Sequence, residues 1–288
     1  MVQRYRVGAL HRMGRVDVFS ADWLGICRRA VAAQREIFGE ARGVEARTVY
    51  EGVGEGGDRT LVIDRRCEDA VFVELETLAE EGASFAAVSE ERGEVSFGSG
   101  GPARVVIDPI DGSLNARRNI PSHSLSIAVA SGSSMSDVEF GYVYDFGADE
   151  EFVARRGAGA TLDGEAIRVA EAGDRLELVG VESAEPGRAL PVVEALAGKA
   201  YRLRVVGSIA ITAAYVGAAR FDAMLSLRPC RSVDAAAAQL IVREAGGEVA
   251  FGDLPLEQAD LGLDARYPLA AAADDRGLSI VYAAQRAA

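Results

Sequence analysis

The chain has 288 residues, of which 49% are hydrophobic and 26% charged, a balance typical of a folded globular protein with a sizeable core. Its formal net charge of −13 argues against binding to nucleic acid or anionic membranes, because both are themselves negatively charged. No stretch approaches the ~18 uninterrupted apolar residues of a membrane span, and three scattered cysteines without a C-x-x-C pair favour a reducing, cytoplasmic setting over a zinc finger.

The first half of the chain has an α+β pattern. Residues 1–19 read as an N-terminal extension without a signal-peptide apolar region. We predict a helix capped by Ser20 and running to about Phe38, a glycine-rich loop over 48–58, and a second helix from Asp64 to Gly82. A strand is predicted at 84–91 and a turn at 98–103. Strands follow at 104–108, 124–130, 140–146 and 150–156, and a glycine-punctuated hairpin at 157–169.

Past residue 170 the pattern changes to alternating strands and helices, which predicts an α/β arrangement. Strands are predicted at 176–183, 201–207 and 221–227, and helices at 189–198, 208–218 and 233–247. The fold class is therefore α/β, with one subdomain over 20–169 and a second over 170–288.

The stretch "VVIDPIDGSLN" (105–115) places two carboxylates at the end of an apolar strand. Pro109 favours an extended Asp108, so the turn brings Asp111 and the Ile110 carbonyl close to Asp108. Three converging oxygens suit a hard cation such as Mg²⁺. Gly112 and Ser113 follow with backbone N–H groups that are suited to a phosphate. The alternative for this stretch alone is an Asx-turn with two solvated aspartates.

Further acidic residues lie at the ends of other predicted elements. Glu90 and Glu91 follow a strand, Asp234 opens a helix, and Asp58 and Asp64 flank Thr60. Taken singly, such residues are usually a solvated loop or a helix cap. In combination, and with only two histidines in the chain, they predict a phosphate-hydrolysing site with two or three metal ions.

Other chemistries match the sequence poorly. No cysteine has an arginine six positions on, and no D-x-D or G-x-x-x-x-G-K-[ST] motif occurs. "GVGEGG" (52–57) satisfies G-x-G-x-x-G, so a dinucleotide-binding oxidoreductase stays an alternative. That motif needs a helix beginning at the glycines, whereas the helical pattern begins only near Asp64.

"VVIDPIDGSLN" and "SVDAAAAQLIVREAGG" resemble the two signature motifs of the inositol monophosphatase family, and "VSEERG" and "GGDRTLVID" resemble its other acidic segments. The resemblance runs in order from about residue 20 to the C-terminus and is closest to archaeal-type members that act on fructose 1,6-bisphosphate and inositol monophosphate. It implies a layered αβαβα sandwich of the sugar-phosphatase type, a homodimer and two or three Mg²⁺ ions acting on a small phosphorylated metabolite.

The resemblance also implies roles for individual residues. Glu90, Asp108 and the Ile110 carbonyl would hold one metal, and Asp108, Asp111 and Asp234 the second. Gly112 and Ser113 would bind phosphate, while Asp64 would hydrogen-bond the Ser113 hydroxyl, which with Glu90 positions the attacking water. Asp58 and Thr60 would complete a third metal site on a mobile loop.

The sequence departs from the family at the residues expected to bind substrate. Leu227 stands where the family has an inositol-binding glutamate, and an apolar side chain cannot hydrogen-bond a polyol. Arg228 and Arg231 could contact a second phosphate instead, or form ordinary surface ion pairs; Ser208 is a further candidate contact. We therefore expect a sugar bisphosphate or inositol phosphate as substrate. A 3′-phosphoadenosine nucleotide, NADP, or a non-catalytic regulatory role stay alternatives.

Overall fold

Residues 16–52, 55, 61–171 and 173–288 are described in the computed structural model of the chain, so the predicted Asp58 and Thr60 lie outside the described residues. The described residues form helices α1 (Trp23–Glu40), α2 (Val62–Glu80), α3 (Ser113–Arg117), α4 (Pro186–Leu196), α5 (Ile209–Gly217), α6 (Ser232–Glu244) and α7 (Asp275–Gln285). None of these helices is both long and apolar enough to cross a bilayer.

Eight strands form the first sheet, in the order β2-β1-β3-β4-β5-β6-β7-β8. They are β1 (Phe85–Ser89), β2 (Gly93–Phe97), β3 (Arg104–Asp111), β4 (Ser124–Ala130), β5 (Val138–Asp145), β6 (Glu150–Arg155), β7 (Gly159–Leu162) and β8 (Glu165–Ile167). All neighbouring pairs are antiparallel except β1 and β3, which run parallel. The sequence analysis missed β2, because its short "GEVSF" pattern lies between turn residues.

The remaining strands form a second sheet in the order β10-β9-β11-β15-β13 and a two-stranded ladder of β12 and β14. They are β9 (Leu176–Glu182), β10 (Ala200–Arg204), β11 (Ala223–Ser226), β12 (Cys230–Arg231), β13 (Glu248–Phe251), β14 (Arg266–Tyr267) and β15 (Leu269–Ala272). The structure thus confirms the predicted alternation of β9, α4, β10, α5, β11 and α6.

The five layers are helices α1 and α2, the first sheet, helices α5 and α6, the second sheet, and helices α4 and α7. Side chains on β3 alternate between the two faces of the first sheet: Val105 and Ile107 pack toward α1 and α2, and Val106 packs toward α5 and α6. This is the predicted αβαβα sandwich. Helices α5 and α6 belong to the second predicted subdomain, yet they contact both sheets. The predicted subdomain boundary near residue 170 therefore stays a prediction.

The N-terminal ends of α1 and α2 differ from the predictions. Asp22, not Ser20, caps α1 by accepting a hydrogen bond from the Gly25 N–H at 3.0 Å. Ser20 lies in a short 3₁₀ turn, where its hydroxyl donates to the Asp17 carbonyl. Helix α2 begins at Val62, so Asp64 is its third residue and not its cap.

We predict that Gly141→Ala destabilises the sandwich, because β5 and α6 lie too close together for an added methyl group. A Cβ at Gly141 would lie 2.7 Å from the Ala237 carbonyl oxygen. Urea unfolding should show a loss of about 1–3 kcal/mol in the free energy of unfolding. The control is Gly39→Ala near the end of α1, where a Cβ meets nothing within 4 Å. That variant should be neutral or up to about 1 kcal/mol more stable; equal losses in both variants would contradict the prediction.

Candidate active site

A cleft of about 780 Å³ opens where β3 ends and where α3, α5 and α6 begin. Most of the residues that the sequence analysis selected line this one cleft: Asp64, Glu90, Asp108, Ile110, Asp111, Gly112, Ser113, Arg228, Arg231 and Asp234. The tertiary structure therefore brings together side chains that are up to 170 positions apart in the sequence, from Asp64 to Asp234.

Asp108 is deeply buried in the cleft, at 3% exposure. Its Oδ1 accepts a hydrogen bond from the Ile110 N–H at 3.0 Å, as in the alternative Asx-turn, but Asp108 and Asp111 are buried and not solvated. Burial, and then the charges of the neighbouring carboxylates, raise the pKa of Asp108 well above its usual value. The Ile110 side chain packs between α1 and α2, which leaves its backbone to line the cleft.

Asp111 is held by the N-terminus of α5. Its carboxylate accepts hydrogen bonds from the Ala210 N–H at 2.7 Å, from the Ile209 N–H at 3.3 Å and from the Ser208 hydroxyl. Burial raises the pKa of Asp111 to about 6, although these hydrogen bonds oppose the rise. The sequence analysis missed this contact because α5 is 97 positions further along the chain and carries no motif.

Asp234 and Asp64 occupy equivalent places in the first turns of α6 and α2. Each is the third residue of its helix and accepts a hydrogen bond from the backbone N–H three residues earlier, Asp234 at 2.8 Å and Asp64 at 3.4 Å. Burial raises the pKa of both carboxyls to about 7. Among the described residues, Asp64 Oδ2 accepts from the Leu61 N–H and its buried Oδ1 has no partner, so the predicted hydrogen bond from Ser113 is not formed there.

Glu90 lies at the end of β1, where its carboxylate forms an ion pair with Arg231. The turn that carries Glu90 is fixed by Glu68, whose Oε1 accepts the N–H groups of Glu91 at 3.2 Å and Arg92 at 3.1 Å. The sequence analysis missed Glu68. A signal was present, because Glu68 follows Asp64 by four residues within the apolar stripe of α2 and therefore points the same way.

Gly112 adopts φ +88°, and a Cβ there would lie 2.9 Å from the Gly207 carbonyl oxygen. Only glycine fits this close approach, which directs the chain from β3 into α3 and leaves Ser113 exposed at the helix start. Asn115 holds the neighbouring segments in place by donating to the carbonyls of Ser122 and Val206, both at 2.8 Å.

The predicted substrate-binding residues divide into three cases. Arg228 and Arg231 line the cleft, but each is paired with a carboxylate, Arg228 with Glu185 at 3.0 Å and Arg231 with Glu90. The hydroxyl of Ser208 donates a hydrogen bond to Asp111, so Ser208 contributes to the cleft by holding that carboxylate. Leu227 is buried in the core beneath the second sheet.

The donor set of the cleft fits hard divalent cations. Glu90, Asp108, Asp111 and Asp234 line it together with Ile110, and oxygen ligands of this kind suit such cations. Burial raises the pKa of the three aspartates, and the charges of neighbouring carboxylates add to the rise. Across the described ranges, however, no three acidic, histidine or cysteine side chains are already arranged to hold an ion. Asp111 is instead hydrogen-bonded to the N-terminus of α5, and Glu90 is paired with Arg231.

Comparisons with known proteins found similar sequences and a similar fold. A model of the inositol monophosphatase family matches residues 24–276. The fructose-1,6-bisphosphatase/inositol-1-monophosphatase of Methanothermobacter thermautotrophicus is 32% identical over 237 residues, covering 79% of this chain and 83% of that protein. Nus factor SuhB of Escherichia coli K12 is 32% identical over 218 residues, covering 73% and 78%. A crystal structure of an inositol monophosphatase–fructose 1,6-bisphosphatase superimposes with a TM-score of 0.79 at 26% identity, covering 92% of this chain and all of that one.

We predict that the metal-free protein loses stability as the pH rises from about 5 to 8. The raised carboxyl pKa values, about 6 for Asp111 and about 7 for Asp64 and Asp234, mean that the folded state binds more protons than the unfolded state between about pH 4 and 7. Raising the pH through this window therefore favours unfolding. In EDTA the melting temperature should fall, and Mg²⁺ should raise it more at pH 8 than at pH 5.

The matched variant is Asp108→Asn, which removes one buried charge at nearly constant volume. In EDTA at pH 8 it should be about 0.5–2 kcal/mol more stable than the wild type, as is common where a strained functional site is relieved. It should also respond less to Mg²⁺. A melting temperature in EDTA that rises across this pH range would contradict the prediction.

Proposed function

The chain belongs to the inositol monophosphatase family and is a phosphoric monoester hydrolase, and from that premise we propose that it hydrolyses a small sugar or polyol phosphate by direct attack of water, with two or three Mg²⁺ ions. The observation that carries the proposal is the one cleft that Glu90, Asp108, Asp111 and Asp234 line together with Gly112 and Ser113. Buried acids alone would repel an anionic substrate, so the same cleft needs cations to attract it.

In this proposal Glu90, Asp108, Asp111, Asp234 and the Ile110 carbonyl hold the cations. When bound, the ions would supply Lewis-acid stabilisation of the negative charge that develops on the transferred phosphoryl group. The N–H groups of the Gly112–Ser113 turn hold the phosphate oxygens and set its orientation.

Asp64 is proposed to orient the attacking water together with Ser113 and Glu90. Its Oδ1 is buried, lines the cleft region and has no hydrogen-bond partner among the described residues, which leaves one acceptor for a water or for the Ser113 hydroxyl. Its pKa of about 7 allows Asp64 to accept a proton near neutral pH. Asp58 and Thr60 keep their proposed part in a third metal site.

The described cleft lining favours a sugar or polyol over a nucleotide. It contains no aromatic side chain that could stack on a nucleobase. Arg228 and its partner Glu185 are both more than half exposed, so the Arg228 guanidinium is accessible to a second phosphate. The burial of Leu227 removes the usual contact for an inositol hydroxyl. We therefore favour a sugar bisphosphate, with fructose 1,6-bisphosphate as the leading candidate.

A cytoplasmic location and a homodimer complete the proposal. Cys27, Cys67 and Cys230 are free and buried, in keeping with a reducing compartment. The homodimer rests on the family resemblance.

We predict that phosphate release requires Mg²⁺ and is faster from fructose 1,6-bisphosphate and inositol 1-phosphate than from 3′-phosphoadenosine 5′-phosphate or NADP. Asp108→Asn should lower kcat by at least about 10³-fold, since it removes charge that acts on the transition state. Asp253→Asn, which changes an exposed aspartate outside the cleft, is the control and should keep full activity. Phosphate release by Asp108→Asn at the wild-type rate would contradict the mechanism. Mg²⁺ binding without release from any of the four esters would favour the regulatory alternative.

Arg228→Ala should discriminate between the substrates. Loss of a charge-assisted contact to the second phosphate should raise KM for fructose 1,6-bisphosphate about tenfold or more, while KM for inositol 1-phosphate stays within about twofold. Steady-state kinetics on both esters gives the two ratios. Equal changes in KM for the two substrates would show that Arg228 does not read a second phosphate.

A further inference from the structure

Arg228 and Arg231 line the same cleft but differ in what they neutralise. Arg228 pairs with Glu185 at the rim, where the two side chains are 59% and 51% exposed. Arg231 pairs with Glu90 inside the acid cluster, where the exposures are 16% and 21%. A charge pair that is this much less exposed is screened far less by solvent, so the Arg231–Glu90 pair is the stronger of the two.

Arg231 is the cation that this cluster already contains. Besides pairing with Glu90, it donates its backbone N–H to Asp234, and its charge opposes the rise in the pKa of Asp234 that burial causes. Glu90 also repels Asp108, Asp111 and Asp234 through its charge. The guanidinium therefore stands beside the one carboxylate whose charge acts on all three aspartates.

The backbone that carries Glu90 is held in place. Its turn is held by Glu68, which is fully buried and accepts the next two backbone N–H groups along the chain. A cation that comes to Glu90 therefore meets this carboxylate where Arg231 already pairs with it.

We propose that Arg231 is a built-in competitor of the divalent cation: its guanidinium neutralises Glu90 in the metal-free protein, and a cation binds to Glu90 only by displacing it. This inference rests on the proposed function, because it concerns the cation site of that cleft. The competition stabilises the metal-free fold and weakens metal affinity.

The test is Mg²⁺ titration by isothermal calorimetry of the full chain and of Arg231→Gln, with Arg228→Gln as the matched control. Both variants remove one arginine charge from the same cleft, but only the first removes the partner of Glu90. Arg231→Gln should bind Mg²⁺ at least about tenfold more tightly, the size of coupling seen for close charge pairs. Arg228→Gln should stay within about twofold of the wild type. Arg231→Lys, which keeps the charge, should lie nearer to the wild type.

Thermal unfolding provides a readout that is independent of activity. In EDTA, Arg231→Gln should melt below the wild type, and saturating Mg²⁺ should raise its melting temperature by more than it raises that of the wild type. Arg231→Met, which keeps the aliphatic stem, replaces Arg231→Gln if that variant does not fold.

The outcomes separate this inference from the proposed function. A wild-type protein that binds no Mg²⁺, or binds it as tightly after Asp108→Asn, overturns the proposed function. If the wild type binds Mg²⁺ at the cluster but Arg231→Gln binds it no more tightly than Arg228→Gln, only the proposed competition by Arg231 is overturned. The proposed function is then unaffected.

Discussion

Mutual repulsion among buried carboxylates is the constraint on which the rest of this structure depends. Asp108, Asp111 and Asp234 share one cleft with Glu90, and burial would make their charged forms costly without donors or cations nearby. The fold meets this cost in part with backbone N–H groups and in part with one arginine. These groups leave part of the negative charge unneutralised. That remaining charge favours the binding of divalent cations, and bound cations would in turn attract an anionic substrate.

The middle helical layer is what makes this arrangement possible. Helices α5 and α6 lie between the two sheets with their first turns at the cleft, so their N–H groups and partial positive charge face the carboxylates. Small residues permit this close packing: α6 contains four consecutive alanines from Ala235, and Gly141 of β5 lies against Ala237. The packing of this helical layer and the position of its N–H groups at the cleft therefore both depend on how closely the helix and strand backbones approach.

The sequence predicted elements well where periodicity was strong and poorly where several polar residues compete. Strand β4 matches its prediction at both ends because seven residues are buried on both faces. The predicted N-cap of α1 was wrong because Ser20 and Asp22 are both suitable capping residues. Only the path of the preceding turn decides between them. Glu68 was missed because one carboxylate in an apolar stripe has no visible partner until the turn after β1 folds onto it.

The sequence by itself determined the composition of the candidate site: the acidic pair around Pro109, the glycine turn after it and the further acids at element ends are all local patterns. Such patterns follow from short-range backbone preferences, which a sequence displays directly. Only the tertiary structure decided the partners, placing Asp111 on the N-terminus of α5 and Arg231 on Glu90. Those contacts join residues 99 and 141 positions apart, and their energy depends on distance and burial, which no local pattern encodes.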